Sequence, residues 1–194
     1  MLAALKTVHE MLVDRGYTIR KGYEYSETDE NVQRIADTNV AVVADRKATE
    51  TYTADSVYVF FAFDAKLGVA KTREFQEIME ENKVKHGILV CTQEPSHKSK
   101  EELEAQNVEI FTVLELYKNI TRHSLVPKHE VLTPTETNAL LKKYGIELKD
   151  MPVYDITDPI VKYHAWPVNT VVKITRRFGG TRESEPYYRR VVKL

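Results

Sequence analysis

Val57 to Phe63 is the longest uninterrupted apolar run in the chain, seven Val, Tyr, Phe and Ala residues in a row. It is far too short for the roughly 20 residues that cross a bilayer and suits a buried strand. Such a strand needs a sheet, and the chain around it supplies one. Leu2, Leu5, Val8, Met11 and Leu12 recur at helical spacing, and Gly16 follows as a left-handed stop. Tyr17 to Tyr25 alternates aromatic and β-branched residues and predicts a strand; Thr28 to Glu30 is turn-like, and Asn39 to Ala44 predicts another strand. Beyond Gly68, the face formed by Phe75, Ile78 and Met79 predicts a helix over Thr72 to Lys83, and His86 to Thr92 predicts a strand. A polar loop at Pro95 and Ser96 leads to a predicted helix over Ser99 to Gln106 and a strand over Val108 to Val113. Strands separated by helices, after a helical first element, point to an α/β sheet domain.

The pattern changes at Val126-Pro127. Proline drives the residue before it into an extended conformation, so a boundary near residue 124 is expected, with domains over 1–123 and 124–194. Thr133-Pro134-Thr135-Glu136 is a capping box with proline at the first helical position. Leu140, Leu141 and Tyr144 form that helix's apolar face and Gly145 ends it. Asp158-Pro159 starts a short helix through Tyr163 by the same logic. Thr170 to Arg177 and Tyr187 to Leu194 predict two strands joined around Gly179-Gly180, closing a small α+β module with a hairpin.

Charge separates the two halves. Residues 125–194 hold 12 Lys and Arg against 8 Asp and Glu, a net of +4; 16 against 21, a net of −5, remain before them. Neither half has the strong basic excess of a free-standing nucleic-acid binder. The single cysteine, Cys91, allows no internal disulfide and no cysteine-based zinc site, and it implies a reducing intracellular compartment. The first six residues are too short and too soon charged for a secretory signal. Gly179-Gly180 lacks the strand–helix context of a phosphate loop, and no Asp-x-Asp-rich segment offers metals for nucleotide addition. No cofactor, metal ligand or catalytic residue is expected.

Taken in order, Leu125-Val126-Pro127-Lys128-His129, the Thr-capped helix with Leu140-Leu141-Lys142-Lys143-Tyr144, then Met151-Pro152, Asp158-Pro159 and Val171-Val172-Lys173-Ile174-Thr175-Arg176-Arg177 closely resemble the fifth subunit shared by eukaryotic nuclear RNA polymerases I, II and III. The short archaeal counterpart of that subunit resembles this C-terminal module alone, so the length of the chain favours the eukaryotic type. Leu5 to Tyr17, Gly68-Val69 and Gly87-Ile88-Leu89-Val90 are similar to the eukaryotic subunit's N-terminal jaw domain. The resemblance implies a restriction-endonuclease-like sheet flanked by helices, followed by an α+β assembly domain. It implies a non-catalytic role in a nuclear DNA-directed RNA polymerase, with the largest subunit, neighbouring small subunits and transcription regulators as partners. Downstream duplex DNA would be held weakly and without sequence preference, and no membrane is involved. Two segments depart from the family: His164-Ala165-Trp166-Pro167-Val168-Asn169, and the stretch from Gly179 to Pro186. They point to a divergent lineage, for which a large DNA virus is one source; the location would then be the host nucleus, a viral factory or the virion.

The resemblance assigns the subunit interface to Val126, Pro127, Lys128 and His129, where proline fixes an extended strand; the plainer reading is an interdomain linker. Asp158, Pro159 and Lys173 join them. Arg176, Arg177, Arg189 and Arg190 are expected to approach one another across the hairpin and to dock on acidic partner surface, or else to protect a strand edge. Pro95 occupies the position of the loop that faces DNA in the family. With Ser96, His97 and Lys98, and Lys100 behind, it offers hydroxyl, backbone and cationic groups to a phosphate backbone, opposed by Glu94, Glu101 and Glu102. Two alternatives compete. Asp45 with Asp64-Ala65-Lys66 resembles the metal-binding set of a Mg-dependent restriction-like nuclease. A free-standing adaptor would use the same C-terminal module on another complex.

Overall fold

The computed structural model describes residues 2–26, 35, 38–48, 54–62, 69–178, 182–183 and 186–194. They divide into two compact units, residues 1–119 and 120–194.

The first unit is a five-stranded mixed sheet in the order β1-β2-β3-β4-β5: Thr18–Ile19, Val40–Arg46, Asp55–Ala62, His86–Cys91 and Val108–Thr112. β1, β2 and β3 pair antiparallel, and β3, β4 and β5 pair parallel. Parallel neighbours need crossovers. Helices α2 (Val69–Glu81) and α3 (His97–Ala105) provide them, and α1 (Leu2–Asp14) precedes the sheet. Val57 to Ala62 of the apolar run lie in the third strand, central as their composition requires: every residue of β4 beside it is buried, as are Val57 to Phe61. Tyr58, Phe60, Leu89 and Cys91 point to the face where Phe75 and Met79 of α2 and Leu103 of α3 pack. Gly87 sets how close α2 lies: a Cβ there would stand 2.7 Å from Met79 Sδ and 2.8 Å from Phe75 Cζ. Val57, Val59, Phe61, Ile88 and Val90 turn to the other face, where α1 packs with Leu5, Val8, Met11 and Leu12 buried.

Tyr17 to Tyr25 is not one strand. Only Thr18 and Ile19 pair with β2. The chain turns away at Arg20, where the Tyr23 amide bonds to the Arg20 carbonyl and Gly22 adopts φ +91°, a conformation glycine takes without cost. The expected turn at Thr28–Glu30 lies outside the described residues.

The second unit is a four-stranded sheet in the order β6-β8-β11-β7: Lys128–Val131, Val171–Thr175, Tyr187–Val192 and Val153–Asp155. β8 pairs antiparallel with β6 and β11, and β7 runs parallel to β11. A two-residue pair, β9 (Arg177–Phe178) with β10 (Arg182–Glu183), lies between β8 and β11 in sequence. α5 (Pro159–His164) covers one face, packing Ile160 and Val161 with Trp166 on Tyr154, Val172, Ile174 and Val191. α4 (Pro134–Tyr144) carries both caps that its sequence promised. Thr133 and Glu136 form the capping box, Pro134 sits in the first turn, and Gly145 takes the left-handed position. It buries none of its residues, however. Leu140 and Leu141 are half-buried and Tyr144 is exposed, so the expected apolar face covers little of its own unit. No helix among the described residues is long and apolar enough to cross a membrane.

Candidate interface and nucleic-acid sites

The interface residues expected around Pro127 lie on β6 and just before it. Among the described residues β6 is an outer strand, paired with β8 alone, so one row of its backbone groups has no described strand beside it. Val126 is half-buried against the second unit's core. Lys128 points outward and its ammonium meets Glu130 at 2.7 Å. His129 turns inward instead. Its Nε2 lies 3.3 Å from the Tyr154 hydroxyl, and its ring stacks on Tyr154 and tilts against Trp166. Burial lowers its pKa, only partly opposed by the Pro127 carbonyl and by Asp158. Asp158 caps α5, accepting from the Ile160 amide at 2.9 Å, and Pro159 follows in the first turn. Lys173 reaches Glu130 at 3.7 Å.

The two arginine pairs do not meet. The β8–β11 register sets Arg189 opposite Val172 and Arg190 opposite Val171. Arg176 lies four residues further along, roughly 13 Å away at the rise of a strand, because it stands much nearer than Arg189 to Gly179-Gly180 in the sequence. In backbone register Arg177 is paired with Glu183 in that small ladder. Arg189 and Arg190 occupy opposite sheet faces, as alternation requires. The Arg189 guanidinium lies over the rings of Tyr154 and Tyr187, at 5.5 and 5.3 Å from their centroids. Arg190 reaches Asn169 Oδ1 at 3.5 Å. The Nε atoms of both arginines are enclosed with no hydrogen-bond partner among the described residues. Arg176 is exposed.

The cluster at Pro95 is a helix start. α3 begins two residues earlier than expected because Ser96 is its N-cap, accepting from the Ser99 amide and bonding the Ser99 hydroxyl at 3.0 Å. Pro95 is buried, so it shapes the turn and presents no surface of its own. Ser96, His97, Lys98 and Lys100 are exposed, and His97 lies 3.5 Å from Glu101. Of the nuclease set, Asp45 alone is among the described residues. The Asp45 carboxylate is held by Arg20 at 2.6 and 2.7 Å and by the Ser56 hydroxyl, and Arg20 keeps its pKa low. Asp64 and Lys66 lie outside the described residues. Among the described residues no group of three His, Cys, Asp or Glu side chains is disposed to hold a metal ion.

One constellation escaped the sequence altogether. On the α1 side of the first sheet, Arg15 (2% exposed) forks onto both oxygens of Glu109 at 2.9 and 2.8 Å. Glu109 also meets His86 Nε2 at 2.7 Å. The other His86 nitrogen faces the Tyr17 hydroxyl at 3.1 Å, and Tyr17 donates to Asp55 at 2.9 Å. Arg46 closes the chain on Asp55 and lies 4.4 Å over the Tyr17 ring. Burial alone would raise the Glu109 pKa, but Arg15 and His86 overcome it and bring it to about 2. Burial, with the Asp55 hydrogen bond, keeps the Tyr17 phenol protonated well above its ordinary range. Every member is engaged by another, so this is a structural lock joining α1 to four strands. No local signal announces it, since its members span 94 residues.

Comparison with known proteins gives a consistent result over both units. Residues 2–79 match the family described as RNA polymerase Rpb5, N-terminal domain, and residues 118–191 match RNA polymerase Rpb5, C-terminal domain. The subunit rpabc1 of DNA-directed RNA polymerases I, II and III from Dictyostelium discoideum is 33% identical over 182 residues, covering 91% of this chain and 89% of that protein. The DNA-directed RNA polymerase subunit 5-like protein 1 of Arabidopsis thaliana is 34% identical over 182 residues, covering 88% of this chain and 86% of that protein. DNA-directed RNA polymerase V subunit 5A, also from Arabidopsis thaliana, is 43% identical over 88 residues, 45% of this chain and 39% of that protein.

Proposed function

The chain belongs to the RNA polymerase Rpb5 family, and from that premise we propose that it anchors through its second unit on the largest subunit of a nuclear DNA-directed RNA polymerase and extends its first unit as a jaw towards downstream DNA. It is a non-catalytic polymerase subunit, and nucleotide addition belongs to other subunits. The carrying observation is that both family domains match in order, over residues 2–79 and 118–191. A nuclease reading is not favoured, because Asp45 is already neutralised by Arg20.

The geometry supports the anchoring role in two ways. β6 has an open edge able to accept a strand from another chain. Arg189 and Arg190 are half-buried on β11, and a carboxylate from a partner subunit would complement the outer, reachable edge of their guanidinium groups. Val126, Pro127 and Lys128 then line the contact, with His129 bracing it from inside. The first unit is assigned a restriction-endonuclease-like jaw role by family likeness alone. Its DNA contact rests on the amides at the start of α3 with Lys98 and Lys100, which suit a phosphate backbone. Glu94, Glu101 and Glu102 keep that contact weak and salt-sensitive. Affinity capture of the full chain followed by mass spectrometry tests the reading: the two largest polymerase subunits should dominate, and a capture without them would remove it. Lys98→Glu should reduce transcription without affecting capture.

A further inference from the structure

We propose that His9 is a proton-operated clasp: its imidazolium ties residues 20–26 to helix α1, and loss of the proton loosens that strap from the helix. His9 is 9% exposed, and each of its ring nitrogens faces a backbone carbonyl. Nδ1 lies 2.9 Å from the Leu5 oxygen, one turn back on α1, and Nε2 lies 2.7 Å from the Tyr23 oxygen on the strap. A carbonyl oxygen accepts and never donates, whereas a neutral imidazole has one N–H and one lone pair. Only the imidazolium donates to both oxygens. In the neutral ring one contact sets lone pair against lone pair, and since both nitrogens belong to one rigid ring, relief at either displaces the other. The other histidines with described partners differ in this respect. His86 and His129 each face a tyrosine hydroxyl, which can reverse its role when the ring gains or loses a proton.

A buried cation is costly unless it is hydrogen-bonded and near an opposite charge, and His9 meets both conditions. The Glu24 carboxylate on the strap accepts from the Gly22 amide at 2.7 Å. Its own amide and that of Gly22 hold its pKa low, and the charges of Lys21 and His9 add to this. The Tyr25 ring stands at a steep angle to the imidazole, 5.8 Å between centres. On α1 the flanking charged residues are Lys6 and Glu10, and Glu10 accepts from Asn119 at 2.7 Å.

The strap reaches across the sheet. Its Tyr23 carbonyl is bound by His9 on the α1 side, while the half-buried Tyr23 side chain packs with Val43, Tyr58 and Phe60 in the core beneath α2. A single proton on α1 therefore bears on packing at the opposite face. The inference stands apart from the polymerase reading.

The test is solution NMR of the full chain from about pH 5 to about pH 8.5, which brackets ordinary histidine titration. It follows the His9 ring nitrogens, assigned by their absence from His9→Gln, and the hydrogen-exchange protection factors of Gly22 and Tyr23. Those two amides bond to Glu24 and to the Arg20 carbonyl within the strap, so they report its order. Glu24, held below its ordinary range, stays ionised throughout. Both His9 nitrogens should carry protons while the strap is protected. Protection should fall by about five- to tenfold, the weight of one hydrogen bond, at the midpoint of His9 deprotonation. Ile88 and Val90 in β4 should keep theirs. His9→Gln offers a donor that does not titrate and should remove the pH dependence. A bare ring nitrogen under a fully protected strap, an equal fall in β4, or an unchanged pH dependence in His9→Gln would overturn the proposal. The first two are read on the wild-type chain and hold even if the variant fails to fold.

Discussion

In the first unit Arg15 is 2% exposed and clasped by both oxygens of Glu109, whereas in the second unit Lys142 and Lys143 stand in solvent on a helix that buries nothing. Both units carry charge, but they place it oppositely. The first draws arginine, histidine and carboxylates into a closed chain of contacts that fastens α1 to its sheet. Among its described residues the second keeps an outer strand edge and an uncovered helix. Groups satisfied internally mark a unit complete in itself; groups left unsatisfied at a surface mark one completed by other molecules.

The sharpest way to break this comparison is Arg15→Ala. Removing one partner strands Glu109 in partly buried surroundings, and the expected loss is about 3–5 kcal/mol. In chemical denaturation the first unit's transition should move and the second's should stay. A shift no larger than that of an exposed lysine variant would show that the lock contributes little.

The pH dependence follows from Glu109. Its folded pKa of about 2 lies below the ordinary value of 4.5, so its contribution is full above pH 4.5 and disappears as the pH falls towards 2, a loss on the order of 2–3 kcal/mol. Glu109→Gln should flatten that part of the stability profile while lowering it at neutral pH. Unchanged curvature would assign acid sensitivity elsewhere. Gly87→Ala should cost about 1–3 kcal/mol, since the added methyl meets Phe75 and Met79, and a melting temperature equal to wild type would mean that α2 simply moves aside.

The smallest effect belongs to the second unit. Thr133→Ala removes a cap worth about 1 kcal/mol, and hydrogen exchange should quicken in α4 with little change in β8 or β11. Equal quickening in the strands would mean that α4 is integral to the core, and the contrast between the units would blur.

What could be read from the residues alone was what local chemistry decides. The capping box at Thr133, the Asp158-Pro159 start and the buried strand at Val57 depend on neighbours within a few positions, and all three are in place. The α1 helix was legible for the same reason. The Arg15–Glu109–His86–Tyr17–Asp55–Arg46 lock was not, because its geometry exists only after five distant segments have paired. The arginine hairpin failed on register: Arg176-Arg177 stand about three residues from the centre of Gly179-Gly180 and Arg189-Arg190 about ten, so the ladder that sets Tyr187 opposite Ile174 leaves the two pairs apart. The inward turn of His129 was not legible, since one step along a strand turns a side chain from solvent to core and nothing local says which residue of the strand faces in. The polymerase likeness was legible where motifs are short and ordered, from Val126 to Arg177.

The most direct measurement compares tagged residues 1–119 with tagged residues 120–194 as baits for polymerase from the same extract. The second fragment should retain the two largest subunits nearly as well as the full chain, and the first should retain almost none. Capture by residues 1–119 alone, with none by residues 120–194, would contradict the division of roles between the two units.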